Sequence, residues 1–359
     1  MYFSNPLSLV LAFITAIVIV MTSIPTIVNV ARIKNLNDEP GRRKAHKKIV
    51  PTLGGIAIYA GIIISGLLFI RFSIVPEFQY IVIASVILFF IGIKDDILII
   101  APTKKLMGQI IASLIIIIMG DFRFTSLHGF LGYQIIPYWF SVILTLFVFI
   151  VIINGVNLID GIDGLASGVG VLASVAFGTW FFLSGEYEYA IVAIAVFGSL
   201  ISFFYFNVFG RNNKIFMGDT GSLMIGLFMA VFAVKFCEVN IDVNTPFYIH
   251  AAPSVAFGIL IVPLFDTMRV FIIRILKGHS PFRADRNHVH HKLLFIGLTH
   301  LKSTLLILGA NLIIIITVFL LNDWGMIDLL LLIVIMALVF SVMPETIFFI
   351  RQRRLKNIH

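Results

Sequence analysis

Apolar residues crowd into eleven long runs, and the polar residues collect in the gaps between them. The runs cover residues 7–30, 53–70, 80–93, 106–119, 139–153, 165–183, 189–208, 221–236, 255–275, 304–321 and 327–349. A segment that is apolar on every face and close to 20 residues long is the mark of a helix crossing a bilayer. The pattern predicts an all-α polytopic membrane protein of about eleven transmembrane helices. Three runs, 80–93, 106–119 and 139–153, have 15 residues or fewer against the roughly 20 a span needs at about 1.5 Å per residue, so each is also compatible with a re-entrant segment.

Loop charge supplies an independent test. With the N-terminus outside and the C-terminus cytoplasmic, 23 of the 26 Lys and Arg residues fall on the inside, leaving Arg71, Arg123 and Lys235 outside. Removing one span would put the two most basic loops, 32–48 and 269–302, on opposite sides or strand the tail outside, against the positive-inside bias. The first run has no basic segment before it and no small-residue cleavage site, which predicts a retained helix. No internal repeat, linker or low-complexity stretch divides the chain, so residues 1–359 read as one membrane domain. Its cytoplasmic loops lie near 32–52, 94–105, 154–165, 209–221 and 276–302.

Composition narrows the classes further. The chain is 60% hydrophobic and 12% charged, against roughly 45–50% and 25% for a soluble domain, which excludes a soluble globular protein and a disordered one. The lone Cys237 rules out an intrachain disulfide. The net charge of +8 is accounted for by inside loops facing anionic lipid, so no nucleic-acid partner is implied.

The same topology gathers Asp38, Glu39, Asp95, Asp96, Asp160, Asp163, Asp219, Asp266 and Asp285 at the inner face. Gly92-Ile93-Lys94-Asp95-Asp96 ends the third run. Adjacent helical residues project about 100° apart, so the two carboxylates take different roles unless both are solvated. Asn154, Asn157, Asp160 and Asp163 recur every third residue, along one drifting stripe of a helix or in line on a 3₁₀ turn. That alignment suits a ribose, an amide or a metal's water shell, the alternative being a polar helix cap; Val171 at the bidentate position excludes an EF-hand. Phe216-Met217-Gly218-Asp219-Thr220-Gly221-Ser222 opens a run, where free backbone N–H groups attract anions and a carboxylate can hold Mg²⁺ against a phosphate. Asp219 could instead be a simple N-cap, and no Gly-Lys-Ser/Thr follows to make a P-loop.

The segment 277–292 is densest in functional groups. His288 and His291 share a helical face, and Arg286 with His288, His290 and His291 makes a donor-rich anion site. A zinc site or a merely basic surface helix are the competing readings. Arg42-Arg43-Lys44-Ala45-His46-Lys47-Lys48, followed by Pro51-Thr52-Leu53-Gly54-Gly55, reads as positive-inside charge that would also attract an anionic headgroup.

Taken in order, these five blocks resemble the polyprenyl-phosphate N-acetylhexosamine-1-phosphate transferases, a group within glycosyltransferase family 4. The resemblance runs from Arg42 to His291 and extends to the eleven spans. It implies transfer of a sugar 1-phosphate from a UDP-N-acetylhexosamine to undecaprenyl phosphate with release of UMP, at the cytoplasmic face of a bacterial inner membrane. It implies Mg²⁺, with Mn²⁺ as a substitute, and a homodimer. On this sequence it makes Asp95 the base or orienter of the lipid phosphate, with Asp96 beside it in the catalytic centre, and Asp219 the metal ligand. Lys44, His46, Asn154, Asn157, Asp160 and Asp163 fall to substrate binding. Lys105 resembles the phosphate-facing lysine, with Lys104 as an alternative. Arg286, His288, His290 and His291 match the loop that grips diphosphate and sugar, in the form found in the UDP-N-acetylglucosamine branch. Ala284 and Val289 depart from that branch's usual proline and isoleucine. Two other readings stand beside this one: a muramoyl-pentapeptide phosphotransferase, and a cation-coupled secondary transporter using the inner-face acids.

Overall fold

A computed structural model describes residues 5–34, 50–98, 100–278 and 288–356. The described residues fold into thirteen α-helices: α1 (Asn5–Ile33), α2 (Gly54–Phe69), α3 (Phe78–Ile97), α4 (Pro102–Leu114), α5 (Tyr138–Ile159), α6 (Leu165–Leu183), α7 (Tyr187–Phe204), α8 (Gly218–Val239), α9 (Ala252–Ile259), α10 (Ile261–Leu276), α11 (Val289–Phe295), α12 (His300–Leu320) and α13 (Met326–Lys356). π-Helical turns, Ile115–Met119 and Tyr205–Phe209, extend α4 and α7. Among the described residues, no strand forms beyond a single bridge between Ser126 and Ile135.

Each of the eleven apolar runs falls on a helix. Among the described residues, eight single helices are long and apolar enough to cross a membrane, or nine when α9 and α10 count as one broken span. The chain is therefore a multi-pass membrane protein. The two remaining runs are α2, only 16 residues long, and α3, whose last turn carries Lys94, Asp95 and Asp96. The break between α9 and α10 bends the axis by 81°. Pro263 lacks the N–H that would bond the carbonyl of Ile259, the last residue of α9, and its ring crowds that carbonyl.

Helix α8 is the axis of the bundle: 83% of its apolar window is buried, against 22% for α13. Packing in a bilayer gains little from hydrophobicity between helices, so close backbone approach carries much of it. Small residues permit that approach here. A Cβ on Gly55 of α2 would lie 2.2 Å from the Gly221 nitrogen, and one on Gly92 of α3 would lie 2.4 Å from Thr220 Cα. The consequence for function is geometric: the end of α3 is pressed against the start of α8, where the acids are.

Candidate functional site

The site begins with an unusual helix cap. The first N–H groups of an α-helix have no partner inside the helix, and at the start of α8 two of them are satisfied from another helix. One oxygen of Asp96 accepts from Asp219 N at 2.7 Å; the other accepts from Thr220 N at 3.1 Å and Thr220 Oγ1 at 2.5 Å. A carboxylate there also complements the positive end of the helix dipole. Gly218 makes this possible, because its φ is +72° and a Cβ would stand 2.6 Å from an Asp96 oxygen. The expectation of free N–H groups awaiting an anion at this helix start is thereby corrected: Asp96 already occupies the Asp219 and Thr220 N–H groups.

Fixed by that cap, Asp219 meets residues from two further helices. Asn157 Nδ2 donates to Asp219 Oδ1 and, at 2.8 Å, to Ser222 Oγ. Lys105 Nζ lies 2.8 Å from Asp219 Oδ1 and 3.2 Å from Asp95 Oδ2. Asp95 also accepts from Ile100 N at 2.8 Å. One ammonium thus bridges two carboxylates, while neighbouring Lys104 is exposed. Asp160 stands just past the end of α5 with no hydrogen bond to its carboxylate among the described residues. Burial, with the charges of Asp219, Asp96 and Asp163, pushes its pKa well above the ordinary carboxylate range.

The stripe of Asn154, Asn157, Asp160 and Asp163 does not hold together as a surface. α5 ends at Ile159, so Asn154 and Asn157 are helical while Asp160 and Asp163 belong to the turn that follows. Asn154 faces α4 in a reciprocal amide pair, donating to Gln109 Oε1 at 2.7 Å and accepting from Gln109 Nε2 at 3.3 Å. Asp163 turns the other way, to Lys214 Nζ at 2.6 Å, with His300 Nδ1 at 3.5 Å. Burial would raise the Asp163 pKa, but His300 and Lys214 outweigh it and hold the carboxyl below its usual range. Asn207, which the sequence reading passed over, ties the same turn down by accepting from Gly164 N at 2.6 Å and donating to the Ile215 carbonyl at 2.9 Å. An amide inside an otherwise apolar run was the signal that could have found it.

The histidines stay together, with the ring centroids of His290 and His291 4.3 Å apart and that of His288 5.6 and 6.4 Å from them. His288 precedes α11 in extended backbone. Its Nδ1 lies 2.8 Å from Asp266 Oδ2, while Asp266 Oδ1 accepts from Val289 N at 3.1 Å and from Arg269 at 3.0 Å. Asp266 is thus the anchor of this loop on α10. His290 is 1% exposed and packs so closely on the site turn that a Cβ on Gly161 would sit 2.5 Å from its Nε2. Burial and the neighbouring His291 push its pKa down to about 3, so the ring is neutral at physiological pH and supplies shape, not charge. Lys44, His46 and Arg286 lie outside the described residues.

A polytopic helical bundle with a carboxylate–lysine centre at one end is built to handle charged groups at a membrane surface. The family model for glycosyl transferase family 4 matches residues 78–237, the stretch that contributes α3, α4, α5 and most of α8. Among curated relatives, the undecaprenyl-phosphate alpha-N-acetylglucosaminyl 1-phosphate transferase of Shigella flexneri is 31% identical over 285 residues, 77% of this chain and 74% of its own. The protein of the same name from Yersinia pestis is 30% identical over 276 residues, covering 76% and 73%. In Bacillus subtilis a relative named "Probable undecaprenyl-phosphate N-acetylglucosaminyl 1-phosphate transferase" is 30% identical over 300 residues, covering 83% and 81%. The chain belongs to glycosyl transferase family 4.

Proposed function

We propose that this protein transfers N-acetylglucosamine 1-phosphate from UDP-N-acetylglucosamine to undecaprenyl phosphate, releasing UMP, at the cytoplasmic face of a bacterial membrane. The observation that supports it most is Lys105 held between Asp95 and Asp219, in a family whose relatives are named for this acceptor and this sugar phosphate. Clustering of the acids at one end of the bundle, instead of at its middle, speaks against a cation transporter.

The chemistry follows from charge. A phosphate oxygen of the lipid attacks the β-phosphorus of the nucleotide sugar; the bond to the α-phosphate's bridging oxygen breaks, and UMP leaves. A phosphate monoester has its second pKa near 6, so the nucleophile is already largely dianionic and the protein's task is to align two anions and offset their charge. Lys105 binds the acceptor phosphate in this reading. Asp95 orients it, and Asp96 is a positioning residue that acts through Asp219. Asp160, with Asn157 beside it, faces the nucleotide sugar.

Oxygen donors at the centre suit a hard cation. Among the described residues no three His, Cys, Asp or Glu side chains converge to cage a metal, which fits an ion held by one or two carboxylates together with water and substrate phosphates. Asp219 would be the ligand, with Asn157 beside it through its Nδ2. When bound there, Mg²⁺ supplies neutralisation of the diphosphate charge.

The test uses detergent-purified protein with undecaprenyl phosphate, Mg²⁺ and, in turn, UDP-N-acetylglucosamine, UDP-N-acetylgalactosamine and UDP-N-acetylmuramoyl-pentapeptide, each with an EDTA control. EDTA-sensitive UMP release and lipid-linked N-acetylglucosamine are expected. Preference for the muramoyl donor would move the protein to the other branch, and no release from folded protein with any donor would remove the assignment.

A further inference from the structure

We propose that Lys105 is a tethered counter-ion: it neutralises the Asp95–Asp219 pair until the acceptor phosphate draws it away, so that divalent cation and polyprenyl phosphate bind cooperatively. The inference rests on the site assignment above and goes beyond it by giving the lysine a second, opposite role before the acceptor arrives.

The ammonium is in contact with both carboxylates and is itself largely enclosed, with side-chain exposures of 14% for Lys105 and 11% for Asp95. A divalent ion on Asp219 would meet this cation at close range in a partly desolvated place, where like charges repel strongly. The carboxylate whose Oδ1 takes the lysine at 2.8 Å is the one that would hold the metal. The two cations therefore compete for one ligand.

The arm can leave without the helix moving. Lys105 lies in the first turn of α4 on a flexible four-carbon stem. One turn further on, Gln109 is fully buried and locked to Asn154 of α5 by the reciprocal amide pair. The base is pinned while the tip is free to swing. Leu98, Leu106 and Met107 are exposed around it, an apolar setting suited to a phosphate carried on a hydrocarbon chain. A phosphate there offers the ammonium a replacement for the two carboxylates, which leaves Asp219 for the metal. By linkage the effect is reciprocal: whatever factor the acceptor adds to metal affinity, the metal adds to acceptor affinity.

The experiment measures Mn²⁺ affinity by electron paramagnetic resonance of free ion, without donor and without turnover. Wild type, Lys105→Met, Lys105→Gln and Asp219→Asn are each titrated alone, with undecaprenyl phosphate, and with undecaprenol as the uncharged control. Removing the lysine charge is expected to tighten Mn²⁺ binding roughly tenfold in the absence of acceptor. Undecaprenyl phosphate should tighten the wild type by a similar factor and add less in the Lys105 variants; undecaprenol should do nothing. Direct ligation of the ion by phosphate would persist in the variants, so the shrinkage of the acceptor's effect isolates the lysine. If Asp219→Asn loses Mn²⁺ while monodisperse Lys105 variants match wild type, the counter-ion role is wrong and the metal site stands. If Asp219→Asn binds as wild type does, or no protein binds Mn²⁺, the site assignment falls and the inference with it.

Discussion

At the end of the bundle away from the site, the ionisable groups complete one another. Glu188 accepts from both Arg71 N and Arg71 Nε at 2.8 and 2.6 Å; Lys235 lies 3.3 Å from Glu186 and over the ring of Tyr189; Tyr189 donates to Glu77 at 2.7 Å; Glu238 accepts twice from Thr125. At the site end Asp95, Asp96, Asp160 and Asp219 crowd together. Each end has a lysine shared by two carboxylates, Lys235 between Glu186 and Glu77 and Lys105 between Asp95 and Asp219, but at the site end the Asp160 carboxylate has no hydrogen bond among the described residues. Buried charge is tolerated when it is paired. The first arrangement is finished within the chain, whereas the second crowds carboxyl groups together and leaves one without a partner in the chain, as sites for charged ligands do.

The sharpest way to break this contrast is Asp219→Asn. It removes the charge on which Lys105 and the proposed metal converge, and turnover should fall by roughly 10³-fold, the scale of losing a main electrostatic stabiliser, with the fold retained. UMP release by the purified variant measures it, and near-wild-type Mg²⁺-dependent activity would take Asp219 out of the centre. Next comes Gly161→Ala. The added Cβ collides with His290, so the Asp160–Asp163 turn must shift, and a displacement near 1 Å is expected to cost up to about 10²-fold in kcat/KM. A normal rate would mean that the histidine ring can yield.

At the opposite end, Glu188→Gln should do the reverse, lowering stability without touching chemistry. Breaking a buried ion pair costs about 3–5 kcal/mol, and with Arg71 27% exposed the loss here should be nearer 1–2 kcal/mol. A lowered Tm in detergent with unchanged turnover per folded molecule is expected; loss of turnover would couple the two ends. The smallest effect concerns pH. The Asp163 pKa is depressed in the fold by His300 and Lys214, so its contribution is complete above the unfolded value of about 3.9 and disappears as pH falls through the folded value. Thermal melts of wild type and Asp163→Asn should differ at pH 7 and converge below about pH 4. A gap unchanged down to pH 3 would show that the ion pairs do not stabilise the turn.

Much of the site was legible because chemistry-bearing residues stand out in a greasy chain. Asp95, Asp96, Asn157, Asp160 and Asp219 were visible as polar groups at the edges of apolar runs, and the structure brings them to one end of the bundle. Less legible was what each does there. Asp95 and Asp96 read in sequence as carboxylates with different roles, but only the structure shows that Asp96 caps α8. Asn154 looks like the twin of Asn157, yet its amide is matched to Gln109. His290 reads as one donor of an anion site, and only the structure shows it buried against the Asp160–Asp163 turn. Asp266, Asn207 and Lys214 acquire roles only through partners distant in the chain.

The sequence by itself determined the helical, membrane-spanning class and the end of the bundle where chemistry collects. Both depend on additive, local quantities: apolar transfer summed over a segment, and the bias of loop charge. Only the tertiary structure decided which carboxylate faces a ligand and which serves the fold. A carboxylate's role is set by the donors that reach it, and here those donors arrive from other helices at distances fixed by packing, through glycines that let α2, α3 and α8 touch backbone to backbone.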